Sequence, residues 1–449
     1  MQKKDGVGKL ILLGVQHAFA MFCATILVPI LTGLDPAVAL LAAGIGTLIF
    51  HLCTGGKVPV FLGSSFAFIP ALVAVIGTDA SQYGSTIPKA MGGIICAGAV
   101  YLVVALLIKF FGPRFIDRLF PPVVRGVGIA IIGLCLSTSA IGNIQFSEYA
   151  ANVPVTNFDL GMHWIIAAVV LIIAVVITSY AKGLLKLSGI IIALATGYVL
   201  SLILVLTGVA NPMLMNLDVF STAPWFSLPK FSFPPVFDLH SIALITPIAL
   251  VSAVEHVGDI YANGSVVGKN FTKDPGLHRT MLGDGLATMA AGFMGGPANT
   301  TYSENTAVLA TTGNYNPVTL RIAAVVAILM SFCGKFIALI ETIPKPVLGG
   351  LCILLYGMIS SVGLRTLVEN KVDFSKNRNL SIAAVMLVLS IGGAVVNFGT
   401  AFSLSGIGLG IIVGIILNLC LPEKKAASTN FEGDDVEVSP NDKETPAEK

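Results

Sequence analysis

Long apolar runs constrain the fold of this chain more than any other feature. A membrane-crossing helix needs about 17 to 25 mostly apolar residues to cover roughly 30 Å of hydrocarbon. Runs near this length lie at 10–31, 36–53, 91–111, 122–142, 161–180, 187–208, 241–262, 279–293, 317–340, 346–361, 380–396 and 403–421. Only 11% of the residues are charged, against roughly 25% in soluble domains. The sequence therefore predicts an all-α polytopic membrane protein.

Two further stretches, 58–75 and 297–312, are apolar on average but are interrupted by Gly, Ser, Thr, Pro and Asn. With these two stretches, the sequence predicts fourteen membrane crossings. In chain order the two stretches are segments 3 and 10, so each is the third segment of a half that contains seven. This symmetry is typical of transporters built from two inverted repeats, whose binding site lies at broken helices near the bilayer midplane. Non-helical backbone at that depth must line a cavity or be buried in protein. We expect each segment to be part extended strand and part helix.

Basic residues indicate how the chain is oriented in the membrane, because short cytoplasmic loops carry an excess of Lys and Arg. With the N-terminus inside, fourteen spans place most basic residues, Arg114 and Arg118 among them, in or beside cytoplasmic loops. Three basic residues stay outside, Lys89, Lys230 and Lys345. Both termini are then cytoplasmic, and the charged tail at 422–449 is predicted to be disordered.

Two glutamates lie in segments that are otherwise apolar or weakly polar, with no Lys or Arg adjacent to either. Glu255 belongs to VSAVEHVGDIYANG (251–264), and Glu304 belongs to GGPANTTYSENTAVLATTG (295–313). A carboxylate at membrane depth is costly unless it faces a cavity or a partner, so it marks a substrate or proton pathway. We therefore place the functional site at these two residues.

Other classes of function lack their signatures. The formal net charge is +2 without a basic patch, which argues against nucleic acid as a partner. The seven cysteines show no CxxC spacing, as disulfide or zinc frameworks would require. No GxxxxGK[ST] loop for ATP is present, and EHVGD (255–259) has no accompanying ligand set for a metal. We expect no cofactor, no metal and no catalytic residue.

Several motifs in order along the chain resemble those of the nucleobase-ascorbate transporter family, also called nucleobase:cation symporter-2, and especially its bacterial uracil branch. The resemblance covers nearly everything except the tail. It rests on QHAFAMF (16–22), VPVFLGSSFAFIPAL (58–72), EHVGD (255–259), DPGLHR (274–279), NTTYSEN (299–305), IPKPVLGG (343–350) and KVD (371–373).

This resemblance implies a fold of two inverted seven-span repeats that form a core domain and a gate domain, with substrate between them. The core domain would comprise 1–111 (spans 1–4) and 241–340 (spans 8–11). The gate domain would comprise 112–208 (spans 5–7) and 346–421 (spans 12–14). The implied activity is proton-coupled import of uracil across the plasma membrane, with uracil, the proton and the lipid bilayer as partners. A homodimer stays open.

The same resemblance implies roles for individual residues. Five correspond to the substrate-binding positions of the family, two of them through backbone N–H groups at Phe66 and Ser303: Glu255, Glu304, Phe66, Ser303 and Tyr302. Three correspond to proton-coupling or supporting positions, among them the histidine that supports the tenth-span carboxyl: His17, Asp259 and Asn305. Two positions depart from the family pattern. Ala307 replaces the signature glycine, and Asp259 stands where uracil permeases have a histidine.

Hydrogen-bond chemistry agrees with a pyrimidine ligand. Uracil carries two N–H donors and two carbonyl acceptors, which two carboxyl groups and two backbone N–H groups can satisfy. Such a site rejects analogues that leave its buried groups unpaired. Phe66, Phe68 and Tyr302 can cover the ring faces.

Alternatives remain at several points. Glu304 can be a cap for the helix that follows it, His17 an ordinary interior histidine, and Asp259 a structural residue. Asp284 is a buried charge that the sequence leaves unexplained.

The alternative functions are a xanthine or urate permease of the same family, an anion exchanger of the same architecture and a membrane-embedded enzyme. Glu304 argues against a purine permease, because the purine branch commonly has glutamine there. An anion exchanger needs a cation at the site, and an enzyme needs a nucleophile and base or a metal site; the sequence shows neither near these segments.

Overall fold

The chain folds into closely packed helices with three short strand pairs. The computed structural model describes residues 6–77, 80–112, 119–150, 153–398 and 402–421. The α-helices within these ranges, labelled α1 to α18 in chain order, are Val7–Thr32, Pro36–Cys53, Ile69–Ile76, Tyr83–Phe111, Pro122–Ile144, Asn157–Tyr180, Gly183–Leu187, Gly189–Leu206, Leu217–Thr222, Leu239–Ile245, Ile248–Val267, Leu277–Met294, Ser303–Thr312, Pro317–Ser331, Gly334–Glu341, Lys345–Glu369, Asn377–Ile391 and Gly406–Cys420.

The strands form three antiparallel pairs, β1 with β4, β2 with β3 and β5 with β6. In chain order, β1 to β6 are Leu62–Ser64, Glu148–Ala150, Val153–Pro154, Asn299–Thr301, Val395–Phe398 and Phe402–Ser405. The β1–β4 pair joins segments 3 and 10, and each of its strands leads into a helix, so the predicted mixture of strand and helix there is confirmed. The other two pairs connect neighbouring helices and were not predicted from the sequence.

The helices have the length and composition of membrane spans. In the described ranges, eight helical stretches of at least 18 residues are apolar enough to cross a bilayer, and four shorter apolar helices accompany them. The predicted fold class, a helical polytopic membrane protein, is confirmed. The count of fourteen spans and the orientation of the termini stay predictions. The tail at 422–449, together with Arg114 and Arg118, lies outside the described residues.

Two of the predicted spans are broken rather than continuous. The span at 241–262 consists of α10 and α11, with Pro247 between them. Proline has no backbone N–H and interrupts the helical hydrogen-bond ladder at that point. The span at 317–340 consists of α14 and α15, which are separated at Phe332 and Cys333. Each break lies within a continuous apolar segment.

One group of helices surrounds the β1–β4 pair. Helix α12 packs against α2 and α4, and α14 packs against α1 and α2. The α4–α12 contact is close because Gly98 and Gly285 face each other's backbone carbonyls, at 2.8 and 3.0 Å from where a Cβ would lie. Small residues at such contacts are typical of membrane helices, which gain their packing energy from close backbone approach.

A second group is centred on the contact between α5 and α16. Helix α16 also packs against α6 and α8, and α17 packs against α5 and α18. On α5, Gly126 and Gly133 lie against α16, while Gly363 of α16 lies against the backbone of Ala130 on α5. A side chain at any of these three positions would separate the two helices.

The α5–α16 contact gives a matched pair of glycines for a stability test. A Cβ on Gly363 would overlap the backbone nitrogen of Ala130, whereas Gly357 on the same helix has open space around it. We expect Gly363→Ala to lower the thermal unfolding temperature in detergent, at a cost of about 1 to 3 kcal/mol for an overpacked contact. Gly357→Ala should not lower that temperature, because Ala favours the helix and meets no neighbour there. Equal effects of the two substitutions in a thermal-shift measurement would contradict this description of the interface.

Candidate functional site

The site is organised by the crossing of β1 and β4. Leu62 pairs with Thr301, and Ser64 pairs with Asn299, and every residue of both strands is buried. At one end, the Tyr302 N–H donates to the carbonyl of Phe61 at 3.0 Å. The short ladder satisfies backbone groups that would otherwise be unpaired at membrane depth, where no water replaces a missing partner.

Polar side chains of the neighbouring helices fix the strands in place. The Leu62 N–H donates to Thr47 Oγ1 on α2 at 2.9 Å. The Asn299 side-chain amide donates to the carbonyls of Ala42 on α2 and Ala287 on α12, at 3.2 and 3.3 Å. The Thr47 hydroxyl of α2 and the Asn299 amide of segment 10 therefore hold the two strands on α2 and α12.

Tyr302 lies beneath the crossing rather than on an open surface. Its hydroxyl donates to the Ser64 carbonyl at 2.9 Å, and Thr25 Oγ1 lies 3.4 Å from the same hydroxyl. Its ring fills the space beside Gly63, where a Cβ would overlap it. These contacts are structural, and a contact between Tyr302 and a ligand stays a prediction.

Each of the two strands leads directly into the first turn of a helix. The turn Phe66–Phe68 follows β1 and continues into α3, and α13 begins at Ser303 directly after β4. The first N–H groups of a helix have no partner within it and attract electronegative ligand atoms. Tyr302, the N-cap residue of α13, makes no side-chain capping bond to these groups. The half-buried Phe66 meets Tyr356 of α16 edge to face, with ring centroids 6.5 Å apart.

Three carboxyl groups converge beside these helix starts. Glu255 and Asp259 lie one turn apart on α11, and Glu304 lies in the first turn of α13. All three side chains are half-buried, and α11, which carries two of them, packs against α13. Asp259 Oδ2 accepts a 2.6 Å hydrogen bond from Thr301 Oγ1, which links α11 to β4. The structure thus brings both predicted glutamates to the strand crossing.

An exposed stripe runs along α11 from Glu255 toward the C-terminal end of the helix. Gly258 and Ala262 are exposed, and Asp259 between them is half-buried. Residues spaced by three and four positions lie on one face of a helix. The carboxyl groups therefore lie on an open face of α11.

A corresponding stripe runs along α13. Ser303, Ala307 and Thr311 are exposed, and Glu304 is half-buried. Ala307, the position at which this chain departs from the family signature, is thus on the open face of the helix. Its additional methyl group projects from this face and does not disturb a helix contact.

His17 contacts the residue that follows Glu304. The Asn305 side-chain amide lies 3.1 Å from His17 Nδ1 and also donates to the His17 carbonyl at 3.1 Å. Both residues are buried. This pair ties α1 to the start of α13 and so orients the turn that carries Glu304. Direct support of the Glu304 carboxyl by His17 stays a prediction.

Asp284, which the sequence left unexplained, has a partner in the structure. Its Oδ2 lies 2.9 Å from Nδ1 of His256, and both side chains are fully buried. His256 therefore points away from the open face of α11 and toward α12. A charged or hydrogen-bonded pair is how a carboxyl can be accommodated in such surroundings.

Asn263 is a supporting residue that sequence reasoning missed. Its amide donates to the carbonyl of Pro59 at 2.9 Å and to Thr306 Oγ1 at 3.2 Å. It thereby connects α11 to both the segment before β1 and helix α13. Its place in an apolar segment, two turns after Glu255, is the only signal in the sequence that could have identified it.

The fold and the family together define a membrane transporter. In the part of the chain that the structure describes, no group of three or more His, Cys, Asp and Glu residues is placed to hold a metal ion. The protein is a transporter and not an enzyme. The sequence matches the model of the permease family over residues 8–399, and the chain belongs to that family.

Comparison with known proteins supports the same class. A uracil permease of Bacillus caldolyticus is 44% identical over 436 residues, which are 96% of this chain and 96% of the relative. Solved structures of SLC26A9 and of the cyanobacterial bicarbonate transporter BicA share the fold, with TM-scores of 0.68 and 0.61 and identities of 14% and 15%. The matches cover 94% of this chain and 66% of SLC26A9, and 92% of this chain and 97% of BicA. The family resemblance stated from the sequence is confirmed.

The hydrogen bond below the strand crossing allows a test of the structural role of Tyr302. In Tyr302→Phe the buried Ser64 carbonyl loses its donor, which costs about 1 to 3 kcal/mol. We expect a lower thermal unfolding temperature of the ligand-free protein. Tyr261→Phe removes a hydroxyl from an exposed tyrosine of α11 and should have no effect. If both variants unfold at the parent temperature, the hydrogen bond to Ser64 does not contribute to stability.

Proposed function

We propose that this chain imports uracil across the plasma membrane by proton symport. The observation that carries the proposal is the convergence of Glu255 and Glu304 on the β1–β4 crossing, in a chain 44% identical to a uracil permease over 96% of its length. High identity over nearly the whole chain supports a shared substrate, because it includes the segments that line the site.

The groups at the site complement the polar edge of uracil. The carboxyls of Glu255 and Glu304 supply acceptors for the two ring N–H groups, and the N–H groups of Phe66 and Ser303 supply donors for the carbonyls. The ring of Phe66 is positioned to cover one face of the pyrimidine. A xanthine or urate permease is the alternative within the family, and Glu304 argues for the pyrimidine.

The two helix groups support the proposed division into a core domain and a gate domain. The helices around the β1–β4 pair belong to residues 1–111 and 241–340, the proposed core domain, and those around the α5–α16 contact belong to 112–208 and 346–421, the proposed gate domain. The edge-to-face contact of Phe66 with Tyr356 joins one group to the other. Substrate bound beside Phe66 would therefore lie between the two domains.

The exposed stripes indicate the direction in which the site is open. They run from the carboxyls to the C-terminal ends of α11 and α13. The loop that follows α11 carries Lys269 and Lys273, and basic loops are typical of the cytoplasmic side. We therefore propose that this conformation faces inward, with both termini in the cytoplasm.

Carboxyl groups on the open faces of α11 and α13 support the proposed proton coupling. A carboxyl that binds a proton together with uracil, and releases both inside, couples the two movements. A proton that enters down about 100 mV releases roughly 2.3 kcal/mol, equivalent to about fifty-fold accumulation of a neutral substrate. In this proposal Glu255 or Glu304 carries the proton. Asp259 and the His17–Asn305 pair support the two segments that hold these carboxyls.

Neutral substitution of the paired carboxyls tests the site. Gln keeps the size of Glu but fixes one end as a donor, which leaves a mispaired group costing about 1 to 3 kcal/mol. We expect Glu255→Gln and Glu304→Gln each to raise the Kd for uracil about 5- to 150-fold, as measured with purified protein. Glu369→Gln, at an exposed glutamate paired with Arg365, is the control and should bind as the parent does. Parent-like binding by both site variants would exclude this site.

Energy coupling is tested separately in proteoliposomes. An imposed pH gradient, acid outside, should drive accumulation of labelled uracil, because the proton and the substrate enter together. A protonophore should abolish accumulation while leaving equilibration of uracil across the membrane intact. Accumulation that persists with the protonophore present would refute proton symport without affecting the assignment of the substrate.

A further inference from the structure

A segment rich in exposed aromatic residues connects the two halves of the chain. Residues 223–238, APWFSLPKFSFPPVFD, lie between α9 and α10 and contain no helix. We call this segment the strap. The large apolar side chains that it exposes are Trp225, Phe226, Leu228, Phe231, Phe233, Val236 and Phe237. Single apolar residues are common on protein surfaces, but a contiguous group of exposed apolar side chains marks an interaction surface.

The backbone of the strap is fixed to several helices. The Lys230 N–H donates to Asp35 Oδ2 at the start of α2 (3.1 Å), and the Val236 N–H donates to the Pro88 carbonyl of α4 (2.8 Å). Two more bonds reach the break between α14 and α15: the Ser227 N–H donates to the Phe332 carbonyl (3.0 Å), and the Gly334 N–H donates to the Trp225 carbonyl (3.0 Å). The strap is thus held in one position, with its backbone turned to the helices and its aromatic side chains turned outward.

Contacts at the α14–α15 break strengthen this attachment. The ring of Phe226 stacks on that of Phe332, with centroids 5.9 Å apart and planes within 6°. Lys335 donates to the carbonyls of Phe220 and Ser221 at the end of α9, at 2.7 and 3.0 Å. Lys335, a charge within a predicted span, therefore satisfies the last carbonyls of the helix that precedes the strap.

The level of the strap relative to the bilayer follows from these attachments. Helix α2 has 18 residues, which is about 27 Å at 1.5 Å per residue and close to the roughly 30 Å of hydrocarbon. Asp35 caps the first turn of this helix, so Asp35 lies near one boundary of the bilayer. Lys230, bonded to Asp35, lies at the same level.

We propose that the strap is a membrane-interface anchor, whose exposed aromatic side chains insert among the lipid headgroups of the leaflet at the start of α2. Tryptophan, which combines an apolar ring with an N–H donor, favours this region of a bilayer. Phe and Leu side chains of segments that lie on a membrane are buried at the boundary between headgroups and acyl chains. The occupant of the surface is therefore lipid, not a second protein. Since the strap's hydrogen bonds go to α2, α4 and the α14–α15 break, it anchors the helix group that surrounds the β1–β4 pair.

Charged groups within the strap fit this depth. Lys230 is exposed between the aromatic residues. Asp238 ends the strap and caps α10, where the Ser241 backbone N–H and hydroxyl donate to it and hold its pKa below the ordinary value. A carboxyl that stays ionised belongs on the aqueous side, and alternation of charged and aromatic residues is typical of the boundary between water and hydrocarbon.

Tryptophan fluorescence tests the proposal directly, because the protein has only two tryptophans, Trp164 and Trp225. The variant Trp164→Phe leaves Trp225 as the sole emitter. It is placed in phosphatidylcholine vesicles brominated either near the headgroup end or near the methyl end of the acyl chains, and iodide serves as the aqueous quencher. We expect shallow bromines to quench Trp225 more than deep ones, and iodide to quench it weakly.

Two further variants provide controls. In a background with Trp164→Phe and Trp225→Phe, Phe233→Trp reports on a second exposed position of the strap and should show the same preference for shallow bromines. Phe374→Trp in that background reports on an exposed aromatic residue in the charged loop after α16 and should be quenched mainly by iodide. Both are measured on protein that elutes as the parent does.

The remaining outcomes overturn the proposal. Strong quenching of Trp225 and Phe233→Trp by iodide with no effect of brominated lipid would place the strap in water. Protection from both quenchers would mean that protein, such as a second copy of this chain, covers the aromatic surface. Preferential quenching by deep bromines would place the side chains in the hydrocarbon and not at the interface.

Discussion

The need to pair every backbone group away from water governs this structure. A helix pairs its backbone groups internally. Segments 3 and 10 cannot do so throughout, because each includes extended backbone at membrane depth. The pairing of β1 with β4 meets this need for both segments at once. Thr47, Asn299 and Tyr302 hold the pair against its neighbours. Each strand of the crossing leads directly into the first turn of a helix, at Phe66 and at Ser303, where we propose that the ligand binds.

Carboxyl groups in this protein occupy two different environments. Asp284 is fully buried and paired with His256, which suits a structural role between α11 and α12. Glu255 and Glu304 are half-buried on open helix faces, as their proposed contact with a proton and a substrate requires. Partial exposure beside the first turn of a helix therefore distinguishes the two proposed site carboxyls from Asp284.

Sequence periodicity and length were sufficient for the general architecture. The apolar runs identified most helices, and the polar interruptions at 58–75 and 297–312 identified the two strand-to-helix segments. Both signals are patterns among residues close together in the chain, so the sequence alone reveals them. The breaks at Pro247 and at residues 332–333 were missed, since each apolar run continues across them. The pairs β2–β3 and β5–β6 were also missed, because their few residues lie next to or within apolar segments without a distinct alternation.

The sequence by itself determined which residues carry charge within apolar segments, and it predicts a site at Glu255 and Glu304. Only the tertiary structure decided which groups they meet. His17 contacts Asn305 across 288 positions of the chain, and Ala307 faces open space instead of a neighbouring helix. Such outcomes depend on the relative rotation of helices that are distant in sequence. That rotation is set by packing between whole helix faces, which no local pattern encodes.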